Sequence, residues 1–505
     1  MVETGGQTIS SEGSALTRSH QPRHAESQVE ASVKSQGAPP QVDPGLRTRQ
    51  AMLEGPILAT LVKLAWPTVL VIVAQVFVGV AEMFYVSFLG TAALAGVTLV
   101  FPIMMLMSMM SNGGIGGGVS AAVARAIGAR RSDDADALVL HALIVAIVFG
   151  LAFTAAMLLF GPTFYAWLGG TAEVLDAART YSGFVFIGAV PSWIVGQMAA
   201  ALRGAGNVRL PAIVTMVSAA ILVVLSPALI FGFGPMPGLG IAGAGVAVTT
   251  FSLTAAVVLM RSLTCGRSLV KLRRVRLEQR LFGDILRVGL PSALGAVQFN
   301  LVTVLVTGAV GLFGTEALAG YGIAVRLDYV LIPLMFGLGT SIVTMVATNI
   351  GAHDFVRARR IAWTGALLAA CVAEAIGCRV AVWPSAWLGL FTNDPGVLAG
   401  GALYLRIVGP FYGAVGLGLL LYFANQGAGQ VVWPIVAGTM LFVVAALFGW
   451  LTVVRLGLGL PALFVIIAAA ASAFAAINAL VMLPADWGRK QHEQARVGEQ
   501  SSPAS

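Results

Sequence analysis

Twelve apolar runs, each long enough to cross a lipid bilayer, follow one another along this chain. They lie at 57–84, 92–121, 137–160, 180–203, 211–232, 240–262, 285–313, 317–348, 361–387, 398–424, 431–454 and 460–484. A helix needs about 20 apolar residues to span the hydrocarbon layer. The chain is 58% hydrophobic and only 10% charged, against about 25% charged in a soluble domain. Such a sequence cannot cover itself with polar groups in water. It is read as an all-α membrane protein of twelve transmembrane helices. Its 60 glycines suit helices that approach closely in lipid.

The joints between runs fix the orientation. The loops after spans 2, 4, 6 and 8 hold Arg125, Arg130 and Arg131; then Arg203 and Arg209; then Lys271 and the arginines from 267 to 287; then Arg357, Arg359 and Arg360. The opposite loops hold little beyond Arg179 and Arg455. Basic loops stay on the cytoplasmic side, so both termini are expected there. The net charge of +8 is thereby explained without nucleic acid, and the lipid bilayer is the expected surrounding. Residues 1–55 are rich in Ser, Gln, Glu, Arg and Pro, which reads as a disordered tail. No apolar segment follows its basic residues until Ile57, so the tail is not read as a signal peptide. Cys265, Cys371 and Cys378 stand without a histidine cluster, and neither a metal site nor a disulfide framework is expected. The five histidines form no catalytic pattern, so the chain is not read as an enzyme and needs no cofactor.

The runs are duplicated. Pro67 matches Pro291, and "TAALAG" at 91–96 returns at the same offset as "TEALAG" at 315–320. "AIGARR" at 126–131 returns as "NIGAHD" at 349–354, "GAGNVRLP" at 204–211 as "GAGQVVWP" at 427–434, and Tyr181 as Tyr404, all at an offset one position shorter. Each half has six spans, an even number. The halves therefore enter the membrane in the same sense, related by a pseudo-two-fold axis along its normal. The expected organisation is a tail over 1–55, a first lobe over 56–262, a linker over 263–284, a second lobe over 285–485 and a second tail over 486–505. Two equivalent bundles around a central cleft suit an alternating-access carrier; a scaffold or receptor without transport is the plainer alternative.

Carriers need polar groups inside the membrane, and a few are present. Glu82 lies in an otherwise apolar stretch, "VFVGVAEMFYVSFLG", in the outer half of span 1. An ionised acid at bilayer depth costs roughly 2.5 kcal/mol or more unless hydrated or paired. Glu82 is thus expected to face the bundle interior, as a group that takes up a proton or holds a cation. Gln75 lies two turns earlier on the same face. The repeat places Val306 opposite Glu82, so duplication does not demand an acid there. In span 8, Arg326 and Asp328 are two positions apart and point to different faces; their repeat partners are Pro102 and Met104. Glu374 lies midway along span 9 with Arg379 five positions on, and Gln298 and Asn300 lie in span 7. These are candidates for substrate contact or coupling, against a plain reading as helix-locking ion pairs. "NGGIGGG" at 112–118 lacks the strand and lysine of a phosphate loop and reads as a place for close helix contact or bending. The Met-rich "FPIMMLMSMM" at 101–110 reads as packing.

"LAWPTV", "AEMFYVSFLGTAALAGV", "GGIGGGVSAAVARAIGARR", "RGAGNVRLP", "VGLPSA", "GTEALAGYGIAVRLD" and "NQGAG", in this order, resemble the multidrug and toxic compound extrusion family over about residues 55–485. The resemblance implies two six-helix lobes enclosing a V-shaped cleft in the bacterial inner membrane. It implies a monomeric antiporter that exports organic cations, drugs or other small solutes in exchange for protons or sodium ions. Glu82 stands where many members carry a span-1 Asp. The DinF-like branch has N-x-x-L-D-P in span 5; here "LVVLSP" puts Leu222 and Ser226 at the polar places. The NorM-like branch has a Glu in span 7 where Phe299 stands. Glu82 and the "RLD" of span 8 favour the DinF-like reading, with proton coupling ahead of sodium. A lipid-linked precursor flippase of the same superfamily is the alternative; only Arg326 and Arg379 offer it cations within the spans.

Overall fold

The computed structural model describes residues 44–170, 172–233, 236–265 and 269–483. Helix α1 (Pro44–Glu54) precedes α2 (Ile57–Ser87), α3 (Thr91–Met109) and α4 (Gly116–Gly128). A π turn, Met110–Ile115, joins α3 to α4. Next come α5 (Ser132–Trp167), α6 (Ala172–Ile187), α7 (Ala189–Gly204) and α8 (Arg209–Phe231). A short antiparallel hairpin, β1 (Gly232–Phe233) and β2 (Met236–Pro237), leads to α9 (Ile241–Thr264). The second half runs α10 (Gln279–Gly311), α11 (Thr315–Gly351), α12 (Phe355–Val382), α13 (Pro384–Leu388), α14 (Pro395–Val408), α15 (Tyr412–Ala428), α16 (Val432–Phe442), α17 (Gly449–Val454) and α18 (Leu460–Met482). Among the described residues eleven stretches are long and apolar enough to cross a membrane singly. The pair α6 and α7, bent by 46° at Gly188, makes the twelfth. The twelve expected spans are therefore present.

The duplication is written into the backbone. Gly90 and Gly314 enter α3 and α11 with φ of 103° and 101°. Gly206 and Gly429 take φ of 79° and 77° after α7 and α15. Arg130 and His353 share φ of 60° and 61°, a left-handed conformation that non-glycine residues seldom adopt. Each pair stands at the spacing of the sequence repeat.

Among the described residues an apolar core forms in each lobe, and a small third one joins Ala121 and Ala124 to Val343, Ala347 and Phe423 at the seam. The first gathers around Trp193, Tyr165 and Phe186; the second around Tyr321, Tyr404 and Phe464. The lobes exchange the starts of their first helices. Leu61, Leu64 and Ala65 of α2 belong to the second core, while Leu281, Ile285 and Ala293 of α10 belong to the first. Glycines admit this crossing. A Cβ on Gly118 would strike the Ile285 carbonyl, one on Gly114 the Ala293 backbone, and one on Gly337 the Val69 side chain. The glycines at 113–118 thus serve both close contact and bending, as the sequence suggested. The seam ends in a symmetric pair: a Cβ on Gly128 would meet the Thr348 carbonyl, and one on Gly351 the Arg125 carbonyl.

The stretch expected as tail up to residue 55 contains the helix α1. Pro44 opens it, Arg, Gln, Ala, Met and Leu favour it, and Gly55-Pro56 ends it. The residues of both tails outside 44–483 lie beyond the described ones. Between the lobes, residues 269–278 are strapped onto the start of α5. The Lys271 N–H donates to Asp136 Oδ1 at 2.7 Å. The Glu278 N–H donates to His141 Nε2 at 2.9 Å, while His141 Nδ1 lies 2.8 Å from the Ala137 carbonyl. A nitrogen that accepts from an amide fixes the neutral tautomer with its proton on Nδ1. Arg280 pairs with Asp134 at 2.9 Å.

Candidate functional site

All the bonds just described between lobes lie toward the end that carries the basic loops. There Ser120 Oγ of the first lobe and Thr344 Oγ1 of the second are 3.3 Å apart, and Gln426 Nε2 donates to the Gly113 carbonyl at 2.9 Å. Arg125 donates to the Gly427 carbonyl at 3.2 Å. A cavity of about 420 Å³ lined by Arg125, Arg131, Asp134, Asp284 and His353 opens at this end. The far half of α2 takes no part in the seam, and Val76, Phe77, Val80 and Phe84 along it are exposed. The seam is shut at the basic end.

In each lobe a carboxylate approaches the same repeated tyrosine. In the first, the Glu82 carboxylate lies within electrostatic reach of Tyr181 on α6. Its Oε1 is buried and accepts no hydrogen bond among the described residues. The Tyr181 hydroxyl donates to Met104 Sδ on α3 at 3.8 Å. In the second lobe Asp328 on α11 is the repeat counterpart of Met104, and its carboxylate lies within electrostatic reach of Tyr404 and Tyr412. The Tyr321 ring meets Tyr404 edge-on at 5.2 Å and stacks on Phe464 at 6.1 Å, holding the tyrosines in place. The acids come from different helices, α2 and α11, yet converge on equivalent tyrosines. Sequence reading singled out both acids and the Tyr181/Tyr404 pair separately. It missed Tyr412 and Met104 as neighbours, although the repeat offset alone relates 104 to 328.

The other candidates are dispersed. Gln75 is exposed and hydrogen-bonds to no described residue, so it does not partner Glu82. Glu374 turns to the backbone: its Oε2 accepts from the Gly413 N–H at 2.7 Å, and its Oε1 from the Cys378 thiol at 3.2 Å. It braces the bend where the 3₁₀ turn Gly409–Phe411 enters α15. Arg379 does not pair with Glu374; its guanidinium lies 4.4 Å over Trp383. Arg326 lies 5.7 Å over Phe391 and is exposed. It diverges from Asp328, as their spacing of two dictates. Gln298 Nε2 donates to Thr439 Oγ1 at 2.8 Å, joining α10 to α16, and Asn300 beside it is half-buried. No cluster of three or more metal-binding side chains occurs among the described residues.

A sequence model described as MatE matches this chain twice, at residues 67–228 and 291–451. The chain belongs to the MatE family, the multidrug and toxic compound extrusion transporters. The two matches begin at the repeat-equivalent prolines Pro67 and Pro291, so each lobe of this MatE protein is itself one family unit. An "FAD transporter" of Shewanella oneidensis is 26% identical over 387 residues, covering 75% of this chain and 84% of that one. A "probable multidrug resistance protein NorM" of Thermotoga maritima is 25% identical over 381 residues, covering 74% and 81%. A MATE transporter solved in a bent conformation superposes with a TM-score of 0.80 at 22% identity, over 91% of this chain and all of that one. Another, solved in an outward-facing conformation, gives 0.78 at 23% identity over 90% and 99%. This MatE chain is thus a multi-pass membrane protein with the family's two-lobed, twelve-helix fold, and its relatives are transporters rather than enzymes.

Proposed function

We propose that this protein is a proton-driven antiporter of a small organic solute, working as a monomer in a bacterial inner membrane with its basic loops and both termini in the cytoplasm. The observation that carries this reading is the Glu82 carboxylate, one oxygen buried and without a hydrogen bond among the described residues, in a molecule whose lobes are closed together at the basic end. A carboxylate with a buried, unbonded oxygen has a strong reason to bind a proton. A coupling ion biases a conformational equilibrium only through unequal affinity for the two states. Glu82 meets that condition when the outer cleft admits solvent in one state and closes over it in the other. Asp328 with Tyr404 and Tyr412 offers the second lobe a comparable group. The far positions of Arg326 and Arg379, each on an aromatic ring, count against a flippase for a lipid-linked precursor. Glu82 and the Arg-Leu-Asp at 326–328 support the DinF-like branch. Proton coupling is preferred to sodium because the carboxylates do not cluster.

Purified protein in liposomes, loaded with a fluorescent organic solute and driven by an imposed pH gradient, tests the reading. Glu82→Gln keeps the shape and removes the titrating group, so gradient-driven movement should fall at least tenfold. Movement that persists in the variant, or that follows sodium and ignores pH, rules Glu82 out as the coupling site.

A further inference from the structure

A second cavity lies on the seam itself. It is lined by Asn112, Ser120, Arg203, Thr340 and Gln426, from both lobes. Arg203 and Gln426 are repeat counterparts and face the same space across the pseudo-two-fold axis. Their chemistry differs. Gln426 spends its amide on the Gly113 carbonyl. Among the described residues the Arg203 guanidinium has neither a hydrogen bond nor an ion pair; the acids that form ion pairs are Asp134, Asp136 and Glu278, all bound to other arginines.

The plain reading of Arg203 is a cation at a helix C-terminus, compensating the dipole of α7. The terminal carbonyls are already taken. The Gly206, Asn207 and Ala205 N–H groups bond to the Arg203, Leu202 and Ala201 carbonyls at 2.8, 2.9 and 3.0 Å. Gln426, neutral, stands at the equivalent helix end under the same turn, with Gly429 and Gln430 closing it. The turn therefore needs no charge. Arg203 is only part-buried, and its planar fork of donors, unspent on any described residue, fits a phosphate or carboxylate.

We propose that Arg203 is the anion-recognition residue of the transport cleft, and that the solute carries a phosphate or carboxylate group. This rests on the exporter reading and refines its substrate class. Parting the seam at the basic end opens the Arg203 cavity to a solute arriving from that side and breaks the Ser120–Thr344 bond, which frees the Ser120 hydroxyl as a further donor. With the seam shut the cavity has a volume of about 10 Å³, room for one water at most. An anion therefore binds one state and is expelled from the other, the inequality of affinity that transport requires.

The test compares matched fluorescent pairs on the purified full-length protein. Flavin mononucleotide and riboflavin differ by one phosphate; a rhodamine with a free carboxylate and its methyl ester differ by one carboxylate. The acid of at least one pair should bind about tenfold more tightly than its neutral-group partner, and whichever pair shows this identifies the anion. Arg203→Gln copies the repeat counterpart and should fold; it should abolish the preference while leaving the partner's affinity unchanged, and Arg203→Lys should restore part of it. No preference in the wild type, or an Arg203→Gln variant that weakens both members alike, overturns the proposal and leaves the exporter reading standing. A preference that tracks Arg203 in a protein that moves no solute against protons sinks the exporter reading instead.

Discussion

Glu82 and Asp328 show how little sequence is needed to mark a site in a membrane and how much geometry is needed to define it. Each acid stood out because its surroundings are apolar, and the expected cost of an unpaired charge at bilayer depth made it conspicuous. What neither position revealed was its partner. Tyr181 on α6 lies within electrostatic range of Glu82, far downstream in the chain, and Tyr404 and Tyr412 on α14 and α15 within that of Asp328. Gln75 looked like a partner because it shares a helix face with Glu82, yet two turns separate residues by about 10 Å along the axis, beyond a hydrogen bond. Glu374 was equally conspicuous and serves a bent backbone instead. Its capping of Gly413 satisfies an N–H that Pro410 and the 3₁₀ turn leave at the start of α15. The two acids that face tyrosines and the one that faces backbone should therefore respond differently. Asp328→Asn, nearly isosteric, should cut proton-driven transport at least tenfold and leave the thermal midpoint in detergent within a few degrees. Glu374→Gln keeps an acceptor for Gly413 and should leave the transport rate within about threefold of wild type. Rates measured side by side in liposomes separate the two roles, and equal losses would show that Asp328 too is structural.

The helices themselves were legible because hydropathy and length speak directly to bilayer thickness. The breaks were less so. Gly188 and Gly409–Phe411 interrupt equivalent spans, α6–α7 and α14–α15, where the sequence shows apolar runs with a proline nearby. The exchange of helix starts between lobes was invisible, since Leu61 and Ile285 read as ordinary span residues whichever lobe they join. Its enabling glycines were seen as a cluster at 113–118, but their partners, Ile285, Ala293 and Gln426, belong to the other lobe. The seam glycines Gly128 and Gly351 carry the consequence. Each lies against a carbonyl of the opposite lobe, so a β-branched side chain cannot enter without prising α4 from α11. Gly128→Val with Gly351→Val should favour the state open at the basic end. After Cys265, Cys371 and Cys378, all exposed, are replaced by serine, a single cysteine at Ala347, fully buried at the seam, should label several-fold faster in this variant than in its parent. An unchanged labelling rate would show that these glycines do not set the closure.

At the scale of the whole molecule, α1 decides how firmly the basic end is shut, because it is bonded to both lobes at once. Arg49 donates to the Ile127 and Gly128 carbonyls of the first lobe at 3.1 and 3.2 Å. The Met52 carbonyl accepts from Asn349 at 3.2 Å and Arg357 at 3.4 Å of the second lobe, and Arg357 also donates to the Gly55 carbonyl. The Met52 side chain is fully buried, and a Cβ on Gly206 would meet its methyl group. Burying a methionine contributes about 1.5–3 kcal/mol, and each hydrogen bond about 0.5–1.5 kcal/mol. Parting the lobes has to break one set of these contacts, whichever lobe α1 follows. Their loss belongs to the free-energy difference between the two states, where about 1.4 kcal/mol is a factor of ten in population. Arg49→Ala with Met52→Ser should therefore raise the share of molecules open at the basic end by at least tenfold without touching Glu82, Asp328 or Arg203. Spin labels at Ala129 and Ala352, at matching places on the two lobes, report the change as a longer distance distribution in the variant. Unaltered distances, together with an unaltered transport rate, would mean that α1 rides on one lobe and bears no part of the closure.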